Sequence, residues 1–248
     1  MERNFKLTLC YDGTRYRGWQ RQGNTPDTIQ AKLETLLSRL LDQSVELHGS
    51  GRTDAGVHAA GQTASFRADT ERSCAQLLEE IRRYLPEDIG AISLEEADSR
   101  FHARLSAREK TYVYRIWNSA APCVFERKYV YVYPGALDLD AMAAAAESLC
   151  GRHDFAAFSA GKKKGRAATR TMKRIEIRRE GEEVRIAYTA DGFLYNMARI
   201  LTGTLLEIGT GERPADDIER IFASQSRADA GFTAPAKGLC LLNVSYDE

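Results

Sequence analysis

Apolar and polar residues alternate or recur along the first hundred positions in patterns that predict a small set of elements. Alternation from Phe5 to Asp12 predicts a β-strand, and a helix should follow near Asp27, which has capping-box spacing with Gln30. A second helix is predicted to open at Ser73 and to stop at Pro86. Further strand-like stretches lie at 44–48, 62–66 and 89–94.

The order strand, helix, strand, strand, helix, strand is typical of a ferredoxin-like unit, in which helices pack on one face of an antiparallel sheet. The second half of the chain loosely repeats this order, with elements predicted at 110–117, 138–151, 172–179, 184–189, 194–208, after 214 and at 239–246. We therefore predict an α+β protein of two ferredoxin-like (RNP-like) halves, whose antiparallel sheets join around a central catalytic cleft. The predicted domains are 1–105 and 106–248.

The composition is that of an ordinary soluble protein, with 43% hydrophobic and 28% charged residues among 248. No apolar run approaches the roughly 20 residues that cross a bilayer, and the N-terminus has no signal-peptide pattern. We expect a cytoplasmic protein without a membrane partner. Five scattered cysteines without a C-x-x-C pair argue against a disulfide framework and a zinc site, and predict mostly buried, reduced thiols.

Charge is balanced over the whole chain, at 35 basic and 35 acidic residues, but it is unevenly distributed. Residues 158–179 contain nine basic residues and one acid, including Lys162, Lys163 and Lys164. A second cluster interleaves the cations Arg15, Arg17 and Arg21 with Tyr16 and Trp19. Such clusters can hold a phosphate backbone and stack an exposed base, although two solvated loops would give the same pattern.

The most unusual stretch is the glycine-rich segment 49–59, which contains Arg52 and Asp54. Glycines allow close backbone approach, and a cation two residues before Asp54 would favour its ionised carboxylate. A tight turn in which Asp54 only caps a backbone amide is the alternative. A dinucleotide-binding G-x-G-x-x-G would need glycine or alanine at Asp54, and no P-loop occurs, so nucleotide cofactors are unsupported.

The run from Gly51 to Ala59 resembles the active-site signature of the TruA family of tRNA pseudouridine synthases. The resemblance covers the full chain and continues in six further segments, at 11–14 with 18–22, 100–104, 110–112, 192–199, 203–209 and 236–239. It implies that Asp54 is the catalytic aspartate, that Arg199 is its ion-pair partner and that Tyr112 contacts the target uracil. Arg52 would help to open and hold the RNA, and Leu239 would pack on the flipped base.

Periodicity gives these assignments partial support. Strand period places Tyr112 on one sheet face with Tyr114 and Ile116, and a buried core tyrosine is the alternative. In the predicted helix 194–208, Arg199 points away from the apolar face, and Thr202 and Leu206 share its side with Tyr195. That combination suits a helix whose outer face lines a cleft.

The resemblance also implies the reaction: isomerisation of uridine to pseudouridine at nucleotides 38, 39 and 40, in the anticodon stem-loop of tRNAs. It implies a homodimer that contacts tRNA, and neither cofactor nor metal. A non-catalytic RNA-binding protein of the same fold is the main alternative, but it leaves the set of Asp54, Arg199 and Tyr112 unexplained. An aspartate-dependent hydrolase would need metal ligands or a second dedicated carboxylate.

Overall fold

The computed structural model describes residues 2–161 and 165–246, apart from the side chain of Arg166. The chain forms two compact units, one of Met1–Arg108 with Leu241–Glu248 and the other of Glu109–Cys240. The domain division at residue 105 stays a prediction, because compactness alone does not establish that a unit folds independently. Both units combine helices with antiparallel strands, which confirms the α+β class.

The first unit follows the predicted ferredoxin-like order. Its strands are paired antiparallel in the spatial order β4, β1, β3, and the short β2 also pairs with β3. The elements are β1 (Glu2–Tyr11), α1 (Ile29–Leu41), β2 (Leu47–Gly49), β3 (His58–Asp69), α2 (Cys74–Tyr84) and β4 (Ile89–Glu96).

Capping residues set where the two helices of this unit begin. The N-cap of α1 is Thr28, whose hydroxyl accepts from the Ala31 amide, so the predicted cap at Asp27 is wrong. Asp27 instead forms an ion pair with Lys32 at 2.9 Å. In α2 the predicted capping box is present, with Ser73 and Gln76 each bonding the backbone of the other.

In the second unit the strands pair antiparallel in the spatial order β5, β9, β8, β7. The short β6 pairs with β5 in parallel. The two-residue β6 and four-residue β7 were not predicted. The elements are β5 (Glu109–Trp117), β6 (Tyr131–Val132), α3 (Leu139–Leu149), β7 (Gly151–Asp154), β8 (Thr169–Glu180), β9 (Glu183–Ala190), α4 (Met197–Gly209), α5 (Asp217–Ser224) and β10 (Leu239–Ser245), which ends in the first unit.

Helix α4 begins three residues later than predicted. Asn196 has a φ of 60°, in the left-handed region, so regular helix cannot extend back to Leu194. Once started, the helix is buried on almost every side, including Thr202 and Leu206. The Thr202 hydroxyl is satisfied by the Ala198 carbonyl at 2.8 Å and by the hydroxyl of Tyr188 at 2.9 Å. Arg199 is half-buried on this helix, whereas Tyr195, just before the helix, is 60% exposed. That this side lines a cleft stays a prediction.

Two global expectations can also be compared with the structure. Within the described residues, no helix has both the length and the apolar character needed to span a membrane. All five cysteines are half-buried, so the prediction that most of them are buried is wrong.

Candidate functional site

Asp54 lies in a turn on the loop that joins β2 to β3. The Val57 amide donates to the Asp54 carbonyl at 3.1 Å, and Gly56 adopts a φ of 79° that favours glycine. Asp54 is half-buried, whereas Arg52 is exposed. The turn thus fixes the backbone of Asp54, which lies between the exposed Arg52 and the buried Val57.

A second segment, residues 13–19, braces this turn. The Trp19 amide donates to the Thr53 carbonyl at 3.0 Å, and the Gly56 amide donates to the Tyr16 carbonyl at 3.3 Å. A Cβ on Gly18 would lie 2.7 Å from the Thr53 carbonyl oxygen, and Gly18 also has a φ of 93°. Only glycine allows the two backbones to approach so closely here.

A buried hydrogen-bond network under the turn was missed in the sequence. Gln62 accepts from the Ser50 hydroxyl at 2.6 Å and donates to the Gly51 carbonyl at 3.0 Å. The hydroxyls of Tyr11 and Thr53 are bonded at 2.9 Å. The available signal was a glutamine within a strand-like stretch of small and apolar residues. These residues position the loop, because each fixes a backbone or side chain of the run 50–53.

The arginine cluster of the first unit is mostly occupied by internal ion pairs. Arg15 pairs with Asp88 at 2.7 Å, and Arg21 pairs with Glu34 at 3.1 Å. The guanidinium of Arg17 is exposed and has no ion pair within the described part of the chain. Arg52 donates from Nε to Oε1 of Gln20 at 3.1 Å.

The aromatic residues of that cluster do not fit the predicted role of stacking an exposed base. Tyr16 is 6% exposed and Trp19 is 2% exposed. Trp19 covers Gly49, where a Cβ would lie 2.4 Å from the indole ring. The Trp19 ring also lies 6.2 Å from that of Tyr11, and the Tyr16 hydroxyl donates to Asp88 at 2.6 Å. Both rings therefore belong to the core, and the prediction that they stack an exposed base is wrong.

The basic run lies partly outside the described residues, and several of its described cations have acidic or polar partners. Lys162, Lys163 and Lys164 lie outside the described residues, so RNA binding by them stays a prediction. Several neighbouring cations have partners: Lys173 pairs with Glu109 at 2.6 Å, and Arg179 donates to Asn118 at 2.7 Å.

Tyr112 lies on β5 in the second unit, on the predicted face. Tyr112, Tyr114 and Ile116 are all buried, whereas the residues between them are half-buried. Tyr112 is in register with Tyr188 of β9, and its ring meets the edge of Phe193 at 4.8 Å and 75°. The ring is therefore held in one orientation by aromatic packing.

Arg199 is fixed by the segment that precedes β10. Its Nε donates to the Ala234 carbonyl at 2.7 Å, and one terminal nitrogen donates to Asn196 Oδ1 at 3.1 Å. This segment can lie against α4 because Gly203 has no side chain: a Cβ there would fall 1.8 Å from the Phe232 carbonyl oxygen. The half-buried guanidinium is thus pre-oriented by main-chain and side-chain acceptors.

Leu239 is held by the same framework. Tyr114 donates its hydroxyl to the Pro235 carbonyl at 2.8 Å, next to the carbonyl that binds Arg199. A Cβ on Gly238 would lie 2.6 Å from the Tyr114 ring, so Gly238 packs closely on that ring. Leu239 is the next residue along the chain. Burial raises the pKa of Tyr114 far above its ordinary value, which keeps the hydroxyl a donor.

The second unit therefore holds Tyr112, Arg199 and Leu239 on one connected framework, and the first holds Asp54 and Arg52. The ion pair between Asp54 and Arg199 stays a prediction. Among the described residues, no group of three or more histidine, cysteine or acidic side chains is arranged to hold a metal ion.

Comparison with known proteins shows which family this chain is similar to. A family model described as tRNA pseudouridine synthase matches residues 9–105 and 145–247. A tRNA pseudouridine synthase A of Bacillus sp. (strain KSM-64) is 44% identical over 243 residues, covering 98% of this chain and 99% of the relative. A tRNA pseudouridine synthase A 1 of Clostridium tetani (strain Massachusetts / E88) is 42% identical over 244 residues, covering 98% and 100%.

Among solved structures, the archaeal box H/ACA sRNP Nop10-Cbf5 complex is 12% identical, with a TM-score of 0.38. That match covers 82% of this chain and 43% of the other, and it is too distant to support any assignment. The family model, by contrast, spans most of the sequence and includes Asp54, Arg199 and Leu239, although Tyr112 falls between its two matched ranges. This chain belongs to the tRNA pseudouridine synthase family.

Proposed function

We propose that this chain isomerises uridine to pseudouridine at nucleotides 38, 39 and 40, in the anticodon stem-loop of tRNAs, with Asp54 as the catalytic carboxylate. The observation that carries the proposal is the braced turn around Asp54, in a chain 44% identical over nearly its full length to a tRNA pseudouridine synthase A. Main-chain bonds, close-packed glycines and a buried network hold the turn that carries this carboxylate, so its backbone is pre-organised for chemistry.

The reaction needs few groups. The N1–C1′ bond of uridine breaks, the uracil turns, and a C5–C1′ bond forms; the C5 hydrogen leaves as a proton and N1 gains one. There is no net redox change, hydrolysis or group transfer, so neither cofactor nor metal is expected. What the site must supply is a carboxylate that attacks C1′ or stabilises a cationic sugar, and a pocket that holds the detached base.

The roles proposed for the other residues follow from their surroundings. Arg199, fixed by Ala234 and Asn196, would hold Asp54 ionised, and Leu239 would pack on the flipped base. Tyr112 would contact the uracil with a ring that Phe193 holds in place. Arg52 is exposed, which leaves it accessible to RNA.

Binding of tRNA must compensate for flipping the target nucleotide, which costs about a few kcal/mol. Phosphate contacts would supply this, and Arg17 is the best placed of the three clustered arginines, because Arg15 and Arg21 already bind carboxylates. Lys162, Lys163 and Lys164 are proposed as further contacts. We also propose a homodimer that works in the cytoplasm.

One assay tests the function. Purified protein is incubated with uridine-labelled tRNA without added metal or nucleotide, and the products are separated. Pseudouridine supports the proposal. Free uracil would indicate a hydrolase, and unchanged tRNA that nevertheless binds would indicate a non-catalytic RNA-binding protein. Mapping the modified positions then tests the choice of nucleotides 38, 39 and 40.

A further inference from the structure

The family-like segment 100–104 has no role in the proposed chemistry, yet it is firmly attached to the sheet of the first unit. Asn4 on β1 donates to the carbonyls of Asp98 and Phe101, at 2.7 and 2.9 Å. On β3, Ser65 accepts from the Ala103 amide at 3.0 Å. Side chains from two neighbouring strands thus bind the segment along its length.

His102 is at the centre of this attachment. Its ring stacks on that of His48, with centroids 4.8 Å apart and planes 26° apart. Its Nδ1 accepts from the amides of Arg104 at 3.1 Å and Leu105 at 3.4 Å. A nitrogen that accepts hydrogen bonds carries no proton, so the ring in this arrangement is neutral and its hydrogen is on Nε2.

The stacked partner connects this segment to the candidate site. His48 is the middle residue of β2, which leads directly into the Asp54 loop. Its cross-strand neighbour on β3 is Ser65, the residue that also binds the Ala103 amide. The segment therefore reaches β2 at His48, directly through the ring stack and indirectly through Ser65, which is paired with His48 on β3.

We propose that His102 is a positioning residue: its neutral imidazole, stacked on His48, fixes β2 and thereby the start of the Asp54 loop, and protonation releases it. This inference rests on the proposed function. Helix α1 holds the first residue of β2, because Gln30 donates to the Leu47 carbonyl at 3.0 Å and the Leu47 amide donates to Glu34 at 3.1 Å. The ring stack is the contact on the middle residue, His48.

The surroundings of His102 favour its neutral ring. Burial is the largest cause that lowers the pKa of His102, and His48 and Arg104 lower it further, against a backbone hydrogen bond of His102 that raises it. The other charged groups nearby are Glu46, 4.0 Å from His48 Nδ1, and Arg67, which binds the Ser99 carbonyl. Because the pKa of His102 is lowered in the folded state, the stabilisation given by its neutral ring is complete above the ordinary value of about 6.5. That stabilisation is lost as the pH falls below this value.

The test is a pH profile of kcat and of KM for tRNA in four proteins. In the wild type, kcat should fall on the acid side. His102→Asn places an amide oxygen close to the Nδ1 position but does not titrate, so its acid limb should be shallower. His102→Ala should lower kcat by at least about threefold at every pH, because a misplaced loop loses reactive geometry, with KM nearly unchanged. His153→Asn, which alters a histidine stacked on Phe222 in the second unit, should keep the wild-type limb.

An independent measurement follows the histidine without activity. NMR titration should give His102 a pKa below 6.5, and His48→Phe, which keeps the ring but removes its charge, should raise that pKa. Thermal melts at each pH exclude global unfolding. Two results would overturn this inference and leave the proposed function intact. One is an active enzyme in which both His102 variants keep the wild-type acid limb and kcat, and the other is a His102 that titrates at or above 6.5. A wild type that makes no pseudouridine would instead overturn the proposed function.

Discussion

Tyr112 combines two properties that separate variants can distinguish: it is buried in the sheet, and it is the residue proposed to contact uracil. Its ring is 6% exposed and packs edge-on against Phe193. A ring that contacts a base needs its π face, whereas a proton shuttle needs its hydroxyl. The two requirements predict different responses to removal of the oxygen atom alone.

Tyr112→Phe should retain substantial single-turnover activity if stacking is the main role, whereas Tyr112→Leu should lose about 1–3 kcal/mol of base stacking. If the hydroxyl moves the C5 proton, both variants should fail equally. Tyr188→Phe is the matched control, since it loses a buried bond to Thr202 and should reduce stability more than rate. Wild-type rates for both Tyr112 variants, in proteins that melt normally, would exclude Tyr112 from the site.

The arginine cluster gives a second contrast between neighbouring residues. Arg17→Ala should weaken tRNA binding and reduce the log-log salt slope by about 0.7 to 0.9, because one phosphate contact is lost. Arg15→Ala should change the slope less, since Arg15 is bound to Asp88. Affinity is measured by filter binding at several salt concentrations. Equal slopes for wild type and Arg17→Ala would show that Arg17 contacts no phosphate and that the cluster is a solvated loop.

At the level of elements, what the sequence could predict depended on how local the signal was. Long periodic segments such as β1, β5 and α2 were located, because their burial pattern is repeated over many residues. The strands β6 and β7 contain two and four residues, too few to show a period. The start of α4 depends on the left-handed Asn196, which periodicity does not reveal.

In the candidate site, too, local signals could be predicted from the sequence and long-range contacts could not. Asp54 and Arg199 stand in distinctive local motifs, so the family resemblance could propose them as site residues. Gln62 and Tyr11 are 51 positions apart in the chain and meet only when β1 pairs with β3. Likewise, the burial of Trp19 depends on its contact with Gly49. Such long-range contacts carry no signal in a single sequence.

The network beneath the Asp54 loop yields a prediction at this scale. Gln62→Leu should lower stability by about 1–3 kcal/mol, because the Ser50 hydroxyl and the Gly51 carbonyl lose their buried partner. It should also reduce kcat by loosening the loop. Gln22→Leu is the control, because its bond to the Arg17 carbonyl is exposed. Denaturant unfolding and single-turnover rates are compared; an unchanged midpoint and rate for Gln62→Leu would show that the network does not hold the loop.

For the whole molecule, charge balance constrains how tRNA is bound. With 35 basic and 35 acidic residues, the chain has no net field that attracts a polyanion, so binding must depend on where individual cations lie. The proposed residues are also divided between the units, with Asp54 and Arg52 in one and Tyr112, Arg199 and Leu239 in the other. Substitutions in either unit should therefore affect the reaction.

The most direct measurement is pseudouridine formation by Asp54→Asn on saturating tRNA, in a single turnover, beside the wild type. The variant keeps the size and the hydrogen-bonding capacity of the side chain, but it removes the charge that the reaction requires. We expect pseudouridine from the wild type and none above background from Asp54→Asn, with tRNA affinity within about a few fold, because the phosphate contacts are untouched. Conversion by Asp54→Asn at a rate near that of the wild type would contradict the assignment of Asp54 as the catalytic carboxylate.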